Sequence, residues 1–577
     1  MTLSQAAIIL LLVGMLVVFA FDRIRMEIVA LCGLAAGAIL GLVPLEETFS
    51  GFANPAFITV VEILLVVQVL GRSGLLDRLA TRIPAMGFGK AGIVTILCAT
   101  TAFLSVFMNN IGALALMIPV VSSVCRVSGL DQRRLLMPVS FAALLGGLCS
   151  VIGTPANLIV SQQLAAQTGS GFLFFDYAYV GVPVAAAGLV AVMIWSQRVL
   201  TPEDRRRSPF PGHSFRRVVT EVVIPKGSAF EGISAADFPA TLHAVLRNGK
   251  RLMFQRPGTS VVGEDIILVE TDLPTLEGWI ADGTVALASA FASAANNDWV
   301  EAVVMPESTL VGSRVGLLEG FSARGIHVVA VAAQMPRIEG SLADLQLSIG
   351  DVLFLSGDEE AIREALGEAE ILPLWPRPGK PAIEKPWLPV SAFTGGIALA
   401  APGFAEPELA FGLVVLVLSA AGALNLRRAL AELDWPILIM LAAMIPLGTA
   451  VETTGAAAIM AGELMSILPG NSPVLFVGAI LALAVAITPF VNNASTAIVL
   501  GPVAVSIAST AGLPVEPFLI AVALGASIDF LTPIGHHNNT IVMGLAGYRF
   551  IEFLKAGWPV TLVAFAVAIP ALSLFWI

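Results

Sequence analysis

Charged residues are scarce in this sequence. Asp, Glu, Lys and Arg make up 13% of its 577 residues, whereas hydrophobic residues make up 57%. A soluble domain usually carries about 25% charged residues, so the composition predicts an integral membrane protein with lipid around most of its surface. The net charge of −11 comes mainly from a central stretch and short loops, and no basic stripe predicts nucleic-acid binding.

Other features that the sequence lacks exclude further functions. Its four cysteines lie in or beside apolar runs without the spacing of metal ligands, so we expect packing residues rather than disulfides or a metal centre. No nucleophile and base pair, phosphate-binding loop or metal motif is recognisable, and no enzyme is predicted. The Thr-Val-Gly-Tyr-Gly filter of potassium channels is also missing. The cysteines are Cys32, Cys98, Cys125 and Cys149.

Long apolar runs occur in two groups. A helix needs roughly 20 mostly apolar residues to span a bilayer. The first run has no basic leader or cleavage site, which favours a retained span over a signal peptide. The first group is 3–21, 26–43, 56–71, a broken pair within 91–125, 135–165 and 176–198. The second group is 387–402, 408–424, 436–452, a broken pair within 473–510, 515–546 and 556–577.

Basic residues orient these runs, because Lys and Arg concentrate in cytoplasmic loops. Their distribution predicts a cytoplasmic (inner) membrane protein with both termini outside, provided that the pair within 91–125 is a re-entrant hairpin. The first-group clusters are Arg23 and Arg25; Arg72, Arg78, Arg82 and Lys90; Arg126, Arg133 and Arg134; and Arg205, Arg206 and Arg207. The residues that orient the second group oppositely are Arg427, Arg428, Arg549 and Lys555.

The two groups also repeat in sequence. Phe-Met-Asn-Asn at 107–110 recurs as Phe-Val-Asn-Asn at 490–493, and Ile-Gly-Thr-Pro-Ala-Asn at 152–157 recurs as Ile-Gly-His-His-Asn-Asn at 534–539. A duplication with opposite orientations and matching helix breaks is typical of secondary transporters with a midplane site. The predicted fold is therefore a polytopic α-helical membrane protein of two inverted repeats, each with a re-entrant hairpin and a broken helix.

The helix breaks offer chemistry for both kinds of ion. Unwound backbone frees carbonyls for a cation, while helix N-termini direct N–H groups and a positive dipole at an anion. An Asn amide can offer its oxygen to a cation and its N–H to an oxyanion. One isolated Asn more often only joins neighbouring helices, but paired Asn residues at matching breaks favour a site. The candidate substrate ligands are Asn109, Asn110, Asn157, Asn492, Asn493 and Asn539.

The second break resembles the signature of a known family. Leu-Thr-Pro-Ile-Gly-His-His-Asn-Asn at 531–539, followed by Gly-Tyr-Arg-Phe at 547–550, is similar to that of divalent anion:sodium symporters, particularly the sulfate type. Gly-Thr-Pro-Ala-Asn at 153–157 is similar to the first-half motif. The resemblance covers nearly all of both membrane halves. It implies an elevator-type carrier, commonly a homodimer, that holds the anion between two hairpin tips.

The same resemblance implies two sodium sites, each formed by a tip and the loop that faces it. Dicarboxylate members carry Ser-Asn-Thr at both tips, whereas this chain has Asn-Asn-Ile and Asn-Asn-Ala. The missing hydroxyls weaken a dicarboxylate assignment and leave the coupling ion open between sodium and protons. One implied site consists of Asn109, Asn110, Gly153 and Thr154. The other consists of Asn492, Asn493, Thr532 and Gly535.

Four ionisable residues at membrane depth also need a role, because charge there is costly. Glu62 is a candidate proton-coupling carboxylate, and Asp529 is a candidate for shaping a cation site. Pairing or capping within the bundle is the alternative for both. Histidine titrates near neutral pH, so His536 and His537 suit proton coupling or pH sensing, and backbone positioning is their alternative.

The central stretch has the composition of a soluble α+β insert. Motifs at 221–225, 246–249 and 263–269 recur at 302–306, 322–325 and 350–355. Each unit resembles the TrkA C-terminal (RCK-C) domain, a ligand-sensing module of potassium channels and transporters. A basic end before it predicts a cytosolic location. Both a sensor of a nucleotide or other metabolite and a dimerisation module are open interpretations.

The predicted organisation is a first membrane repeat at 1–200, TrkA-C-like domains at 201–295 and 296–385, and a second membrane repeat at 386–577. The predicted function is sodium-coupled uptake of a divalent inorganic anion across the lipid bilayer, with sulfate as the leading substrate. Dicarboxylate:sodium symport is the alternative within this class. A transporter-like membrane sensor of sulfur supply is the alternative outside it.

Overall fold

The computed structural model describes both apolar groups and the stretch between them. Within the described residues, five helices are long and apolar enough to cross a membrane, or six if Leu438–Thr453 and Ala456–Glu463, bent by 70°, form one span. Seven shorter apolar helices accompany them. The described residues are 1–21, 26–71, 89–128, 130–200, 217–235, 237–247, 250–252, 260–288, 299–306, 308–333, 341–374, 387–431, 433, 435–467, 472–491 and 493–577.

The first apolar group contains eight helices in the described part of the chain. Every residue of the sixth, Leu136–Gly146, is buried, which places this helix in the centre of the bundle. The second helix ends at Ile39, before the predicted 43, because Gly41 adopts a φ of 68° that a continuing helix does not allow. The helices are α1 Leu3–Phe21, α2 Met26–Ile39, α3 Pro55–Gly71, α4 Lys90–Phe107, α5 Asn110–Ser128, α6 Leu136–Gly146, α7 Pro155–Thr168 and α8 Ala178–Val199.

The central stretch forms one antiparallel sheet of nine strands with three described helices. The strand order is β3-β2-β4-β1-β7-β8-β6-β9, and β5 pairs with β1. The elements are β1 Arg217–Val223, β2 Thr241–Arg247, β3 Lys250–Leu252, β4 Ile266–Asp272, α9 Leu273–Ala281, β5 Ala286–Leu287, β6 Val300–Val304, α10 Glu319–Ser322, β7 His327–Ala332, β8 Val352–Ser356, α11 Glu359–Glu368 and β9 Ile371–Pro373.

Both predicted units of the insert contribute to this sheet. The order β2-β4-β1-β5 in the first unit corresponds to β7-β8-β6-β9 in the second. The units join where Val219 and Thr220 of β1 pair with Val331 and Ala330 of β7. They therefore share a continuous hydrogen-bonded sheet rather than forming two separate sheets.

One predicted match between the units is wrong. Residues 246–249 and 322–325 are not equivalent, because Arg247 ends β2 whereas Arg324 follows α10 and precedes β7. Both segments contain Arg and Gly, the composition of a turn. A turn has the same composition before and after a strand, so the sequence did not distinguish the two positions.

Among its described residues, the second apolar group contains ten helices, two of which were not predicted as runs. α14 and α16 are short, with 6 and 12 residues, and a run of that length does not span a bilayer. The helices are α12 Trp387–Ala400, α13 Pro407–Ala420, α14 Leu426–Ala431, α15 Trp435–Thr453, α16 Ala456–Ile467, α17 Pro473–Val491, α18 Asn493–Ala511, α19 Glu516–Ser527, α20 His537–Ala546 and α21 Phe550–Phe575.

The two apolar groups pack into one bundle. The last helix of the first group, α8, packs along the last helix of the second, α21, and α7 packs against both α18 and α19. Buried apolar side chains form a continuous core across these contacts. Sites at the helix breaks are therefore built from both groups.

Candidate functional site

Each apolar group contains two helix breaks where the sequence predicted them. In the first group, the first tip, Met108 and Asn109, lies between the packed helices α4 and α5, and the first loop, 147–154, separates α6 from α7. In the second group, α17 ends at Val491 and α18 begins at Asn493, and the two helices pack against each other. The second loop, 528–536, separates α19 from α20. The predicted ligand Asn492 lies outside the described residues.

Asn110 joins the first tip to the first loop. Asn110 is 3% exposed. In the amide orientation that satisfies its neighbours, its nitrogen donates to Ser105 Oγ at 2.8 Å and to the carbonyls of Ala143 at 3.0 Å and Gly153 at 3.3 Å. A Cβ on Gly147 would overlap the Asn110 amide, and a Cβ on Gly153 would overlap the backbone of Gly147. Only glycine permits this close approach of tip and loop.

Asn157 holds the first loop in its unwound conformation. Its Nδ2 donates to the carbonyls of Gly147 at 3.1 Å and Ser150 at 2.7 Å. Its own carbonyl accepts a hydrogen bond from the buried Tyr177 hydroxyl at 2.9 Å. These bonds satisfy carbonyls that the helix break leaves without helical donors.

Asn539 holds the second loop in the same way. Its Nδ2 donates to the carbonyls of Asp529 at 2.9 Å and Thr532 at 3.1 Å. Both Asn side chains therefore reach the carbonyls ten and seven residues earlier in the chain. The repeated motif thus forms a repeated structure, in which Asp529 corresponds to Gly147.

The helices after the two loops also begin alike. The Thr154 hydroxyl accepts the backbone N–H of Asn157 at 3.3 Å and caps α7. In α20 the cap is His536, whose Nδ1 accepts the backbone N–H of Asn538 at 3.1 Å. His537 begins α20. The structure therefore gives His536 a backbone-positioning contact, one of the alternatives that the sequence left open.

Three side-chain contacts connect the breaks of the two groups. Asn538 Nδ2 donates to the carbonyl of Asn110 at 3.0 Å, which brings the start of α20 to the start of α5. The hydroxyls of Thr154 and Ser527 lie 3.3 Å apart. The Ser140 hydroxyl donates to Asn539 Oδ1 at 2.8 Å.

Other predicted ligands occupy less central positions or remain untested. Asn109 Oδ1 accepts the backbone N–H of Gly112 at 2.9 Å, so it caps the first turn of α5. Asn493 begins α18 and is 7% exposed. Glu62 lies on α3 against Gly412 of α13, where a Cβ would approach its carboxylate to 2.8 Å. Glu62 therefore contacts a different helix pair from the one that forms the loops.

The sequence missed the hydroxyl residues that complete the site. Ser105, Ser140 and Ser527 are fully buried, and each contacts an Asn or Thr of a break. A single serine in a membrane helix commonly bonds to its own helix backbone. The sequence around each serine therefore did not predict these contacts, which depend on how the helices pack.

The arrangement suits both a cation and an anion. The starts of α5 and α20 meet, and helix N-termini favour anions because of their free N–H groups and positive dipole. Asn538 Oδ1 and both carboxylate oxygens of Asp529 are buried without a hydrogen-bond partner in the described part of the chain. Hard cations prefer such oxygen donors, so the second loop fits a cation such as sodium. In the described part of the chain, no cluster of three or more His, Cys, Asp or Glu residues forms a transition-metal site.

A cavity of about 280 Å³ lies beside the breaks, close to the lower end of ligand-site volumes, about 300 Å³. It is enclosed by α7, α15 and α18 and begins about one turn from the N-termini of α7 and α18, at Ile159 and Ile498. Its polar lining includes Gln162 and Gln163 of α7 and Glu452 of α15. The cavity therefore extends along α7 and α18 from the region of the breaks.

Comparisons with known proteins agree with the motifs. A family model described as "Citrate transporter" matches residues 16–511 and 468–577. The "Uncharacterized transporter YfbS" of Escherichia coli (strain K12) is 28% identical over 97% of both chains. The "Putative sulfur deprivation response regulator" of Chlamydomonas reinhardtii is 26% identical over 94% of this chain and 98% of that protein. "Sodium/sulfate cotransporter 1" of the same alga is 27% identical over 54% of this chain and 39% of its own length.

Proposed function

Because this chain belongs to the citrate transporter family, we propose that it is a secondary transporter that couples sodium entry to uptake of a divalent inorganic anion, with sulfate as the leading substrate. The family match covers most of the chain and confirms both the transporter class and the resemblance to anion:sodium symporters. The observation that carries the finer proposal is the contact between Asn538 and Asn110, which joins two helix N-termini at 3.0 Å.

Sulfate suits this site for a chemical reason. The site offers amide and backbone N–H donors and positive helix ends, and it contains no described Arg or Lys contact that would select a carboxylate by a bidentate bond. The missing Ser-Asn-Thr tips and the sodium/sulfate cotransporter among the relatives support the same choice. A dicarboxylate remains the alternative substrate.

Sodium suits the loops because the unwound carbonyls and amide oxygens are hard, neutral ligands. The proposed first sodium site consists of Asn109, Asn110, Gly153 and Thr154, and the proposed second site consists of Asn492, Asn493, Thr532 and Gly535. A proton in place of sodium is the alternative coupling ion. Sodium-dependent and proton-dependent uptake distinguish the two.

The proposed movement is an elevator in a homodimer of inverted repeats. The repeated contacts of Asn157 and Asn539 support two repeats of common design. The cavity lies along the C-terminal part of α7, which residues 169–177 connect to the start of α8. The insert instead follows the end of α8. We therefore propose that the cavity is the vestibule on the membrane face opposite the insert, which is the outer face when the insert is cytosolic.

The insert is proposed to regulate transport as a pair of TrkA-C-like units that bind a nucleotide or another metabolite. Its continuous sheet supports a single regulatory body rather than two separate ones. A sensor of sulfur supply is a second candidate function. The relative named as a sulfur deprivation response regulator, which aligns over nearly its whole length, favours it.

Uptake of radiolabelled sulfate into proteoliposomes tests these proposals. We expect uptake to require an inward sodium gradient, to resist excess unlabelled succinate and to fall by at least about 100-fold in Asn110→Ala combined with Asn493→Ala. Asn425→Ala is the matched control, because Asn425 only caps the short helix α14 by accepting the N–H of Arg428 at 3.1 Å. Folded protein without sulfate flux in any gradient would reject the importer and favour the sensor.

A further inference from the structure

The second loop contains a buried carboxylate without a counter-charge among the described residues. Asp529 is 1% exposed. In the described part of the chain, neither of its carboxylate oxygens makes a hydrogen bond of ordinary geometry. Burying an ionised carboxylate is strongly unfavourable unless another group compensates its charge. The second loop therefore needs a positive partner at this point or a bound proton.

The first loop has no such group. Its equivalent position is Gly147, since Asn157 and Asn539 bond to the carbonyls of Gly147 and Asp529 with the same spacing. A side chain at 147 would overlap the amide of Asn110, so a neutral amide fills that space in the first half. In the second half, the corresponding space holds a carboxylate.

The second loop is also shaped to hold this carboxylate. A Cβ on Gly535 would overlap the carboxylate of Asp529, so only glycine leaves room for it. The Thr532 side chain lies beside the same carboxylate, and its hydroxyl accepts the backbone N–H of Gly535 at 3.2 Å. Thr532 and Gly535 are the loop residues of the proposed second sodium site.

We propose that the Asp529 carboxylate is a direct ligand of the coupling cation at the second loop. The two cation sites are then chemically unequal: the first presents neutral oxygens, and the second presents a full negative charge. The second site binds its cation more tightly and compensates the charge of that cation within the protein. The proposal rests on the proposed function only in requiring a coupling cation, not in requiring sulfate.

Sodium-dependent thermal stabilisation of the purified full chain tests the proposal without transport. A cation that binds only the folded state raises the melting temperature in proportion to ln(1 + concentration/Kd). Melting is measured over a sodium chloride series, with choline chloride keeping ionic strength constant. Asp529→Asn is the test variant, and Asp529→Ser is the second variant if the first does not fold. Asp176→Asn is the matched control, because Asp176 only accepts the N–H of Leu173 in a different loop.

We expect the sodium concentration for half of the stabilisation to rise at least about 10-fold in the Asp529 variants and to stay unchanged in Asp176→Asn. An unchanged concentration in the Asp529 variants would overturn the proposal. A second outcome would also overturn it: Asp529 variants that are more stable than the parent at every sodium concentration but respond to sodium in the same way. That outcome would show that the carboxyl group holds a proton. Sodium stabilisation that depends on Asp529, together with absent sulfate uptake, would reject the substrate and retain the cation ligand.

Discussion

The first and second loops have the same framework of hydrogen bonds but enclose different groups. In both, an Asn of the following helix binds carbonyls ten and seven residues earlier. The first loop then accommodates the amide of Asn110, whereas the second accommodates the carboxylate of Asp529. The shared hydrogen-bond framework therefore sets the geometry of the two loops, whereas the residue at position 147 or 529 sets their charge.

The helices that enclose the two loops, by contrast, make equivalent contacts. Gly181 of α8 approaches the carbonyl of Leu148 so closely that a Cβ would overlap it, and Gly557 of α21 approaches the carbonyl of Phe530 in the same way. The enclosing helices are therefore alike. The contrast at the loops therefore lies in the groups that they enclose, the amide of Asn110 and the carboxylate of Asp529.

The largest difference between the two loops is expected for alanine at their equivalent glycines, Gly153 and Gly535. In Gly153→Ala the new Cβ meets the backbone of Gly147, whereas in Gly535→Ala it meets the side chain of Asp529. Overpacking costs about 1–3 kcal/mol, and a backbone moves less easily than a side chain. We expect Gly153→Ala to yield little monodisperse protein in size-exclusion chromatography and Gly535→Ala to fold with weakened sodium stabilisation. Equal loss of folded protein would contradict the comparison.

Removing the two Asn side chains should instead have equal effects. Asn157→Ala and Asn539→Ala each remove two side-chain hydrogen bonds to loop carbonyls, and each lost bond costs about 0.5–1.5 kcal/mol. We expect both variants to lower the melting temperature by similar amounts, while Asn425→Ala leaves it almost unchanged. A drop in only one variant would show that the frameworks differ.

Cysteine labelling should distinguish a cavity-lining position of α7 from the matching position of α20. Gln163 of α7 lines the cavity, whereas Leu545, at the same distance from the start of α20, is 1% exposed. In a Cys32→Ser background, which removes the exposed native cysteine, we expect a water-soluble thiol reagent to modify Gln163→Cys at least about 10-fold faster than Leu545→Cys. Comparable rates would reject the vestibule.

The smallest effect is expected in the insert, where an ion pair of the first unit is compared with an ion pair of the second. Arg247 donates from Nε and Nη2 to Asp265 at 2.8 and 2.7 Å, and this contact raises the pKa of the Arg247 guanidinium. Arg324 makes an exposed pair with Glu368 at 2.7 Å. Arg247→Ala removes the cationic partner of the buried Asp265, which keeps, among the described residues, only the backbone N–H of Val262 at 2.8 Å. An exposed pair, by contrast, contributes at most about 1 kcal/mol.

We expect limited proteolysis of the full chain to cleave the insert faster in Arg247→Ala and at the parental rate in Arg324→Ala. Sodium-dependent stabilisation of the membrane part should be unchanged in both variants. Equal cleavage rates in the two variants would show that the buried pair does not stabilise the first unit.

The sequence predicted the breaks because they depend on local chemistry. Pro155, Gly153 and Pro533 interrupt apolar runs, and such residues indicate unwound backbone wherever they recur at matching positions. The apolar runs themselves gave the long helices within a few residues. The short helices α14 and α16 were missed because no length or hydropathy rule identifies a helix that does not span.

The sequence did not predict how the breaks are assembled. The contacts of Ser140 with Asn539 and of Asn538 with Asn110 join residues about 400 positions apart. Such contacts depend on the packing of the two groups, which no local pattern encodes. The role of Gly147 as the counterpart of Asp529 was hidden for the same reason, since one glycine among many in a membrane helix has no distinctive signal.

The ends of the insert's sheet have a consequence for a crowded membrane. The outer strands β3 and β9 have only three residues each, and β9 ends in Pro373, which has no backbone N–H to offer. A long, flat outer strand would be a template on which neighbouring copies add further strands. Short outer strands offer little free backbone to which a neighbouring copy can add a strand.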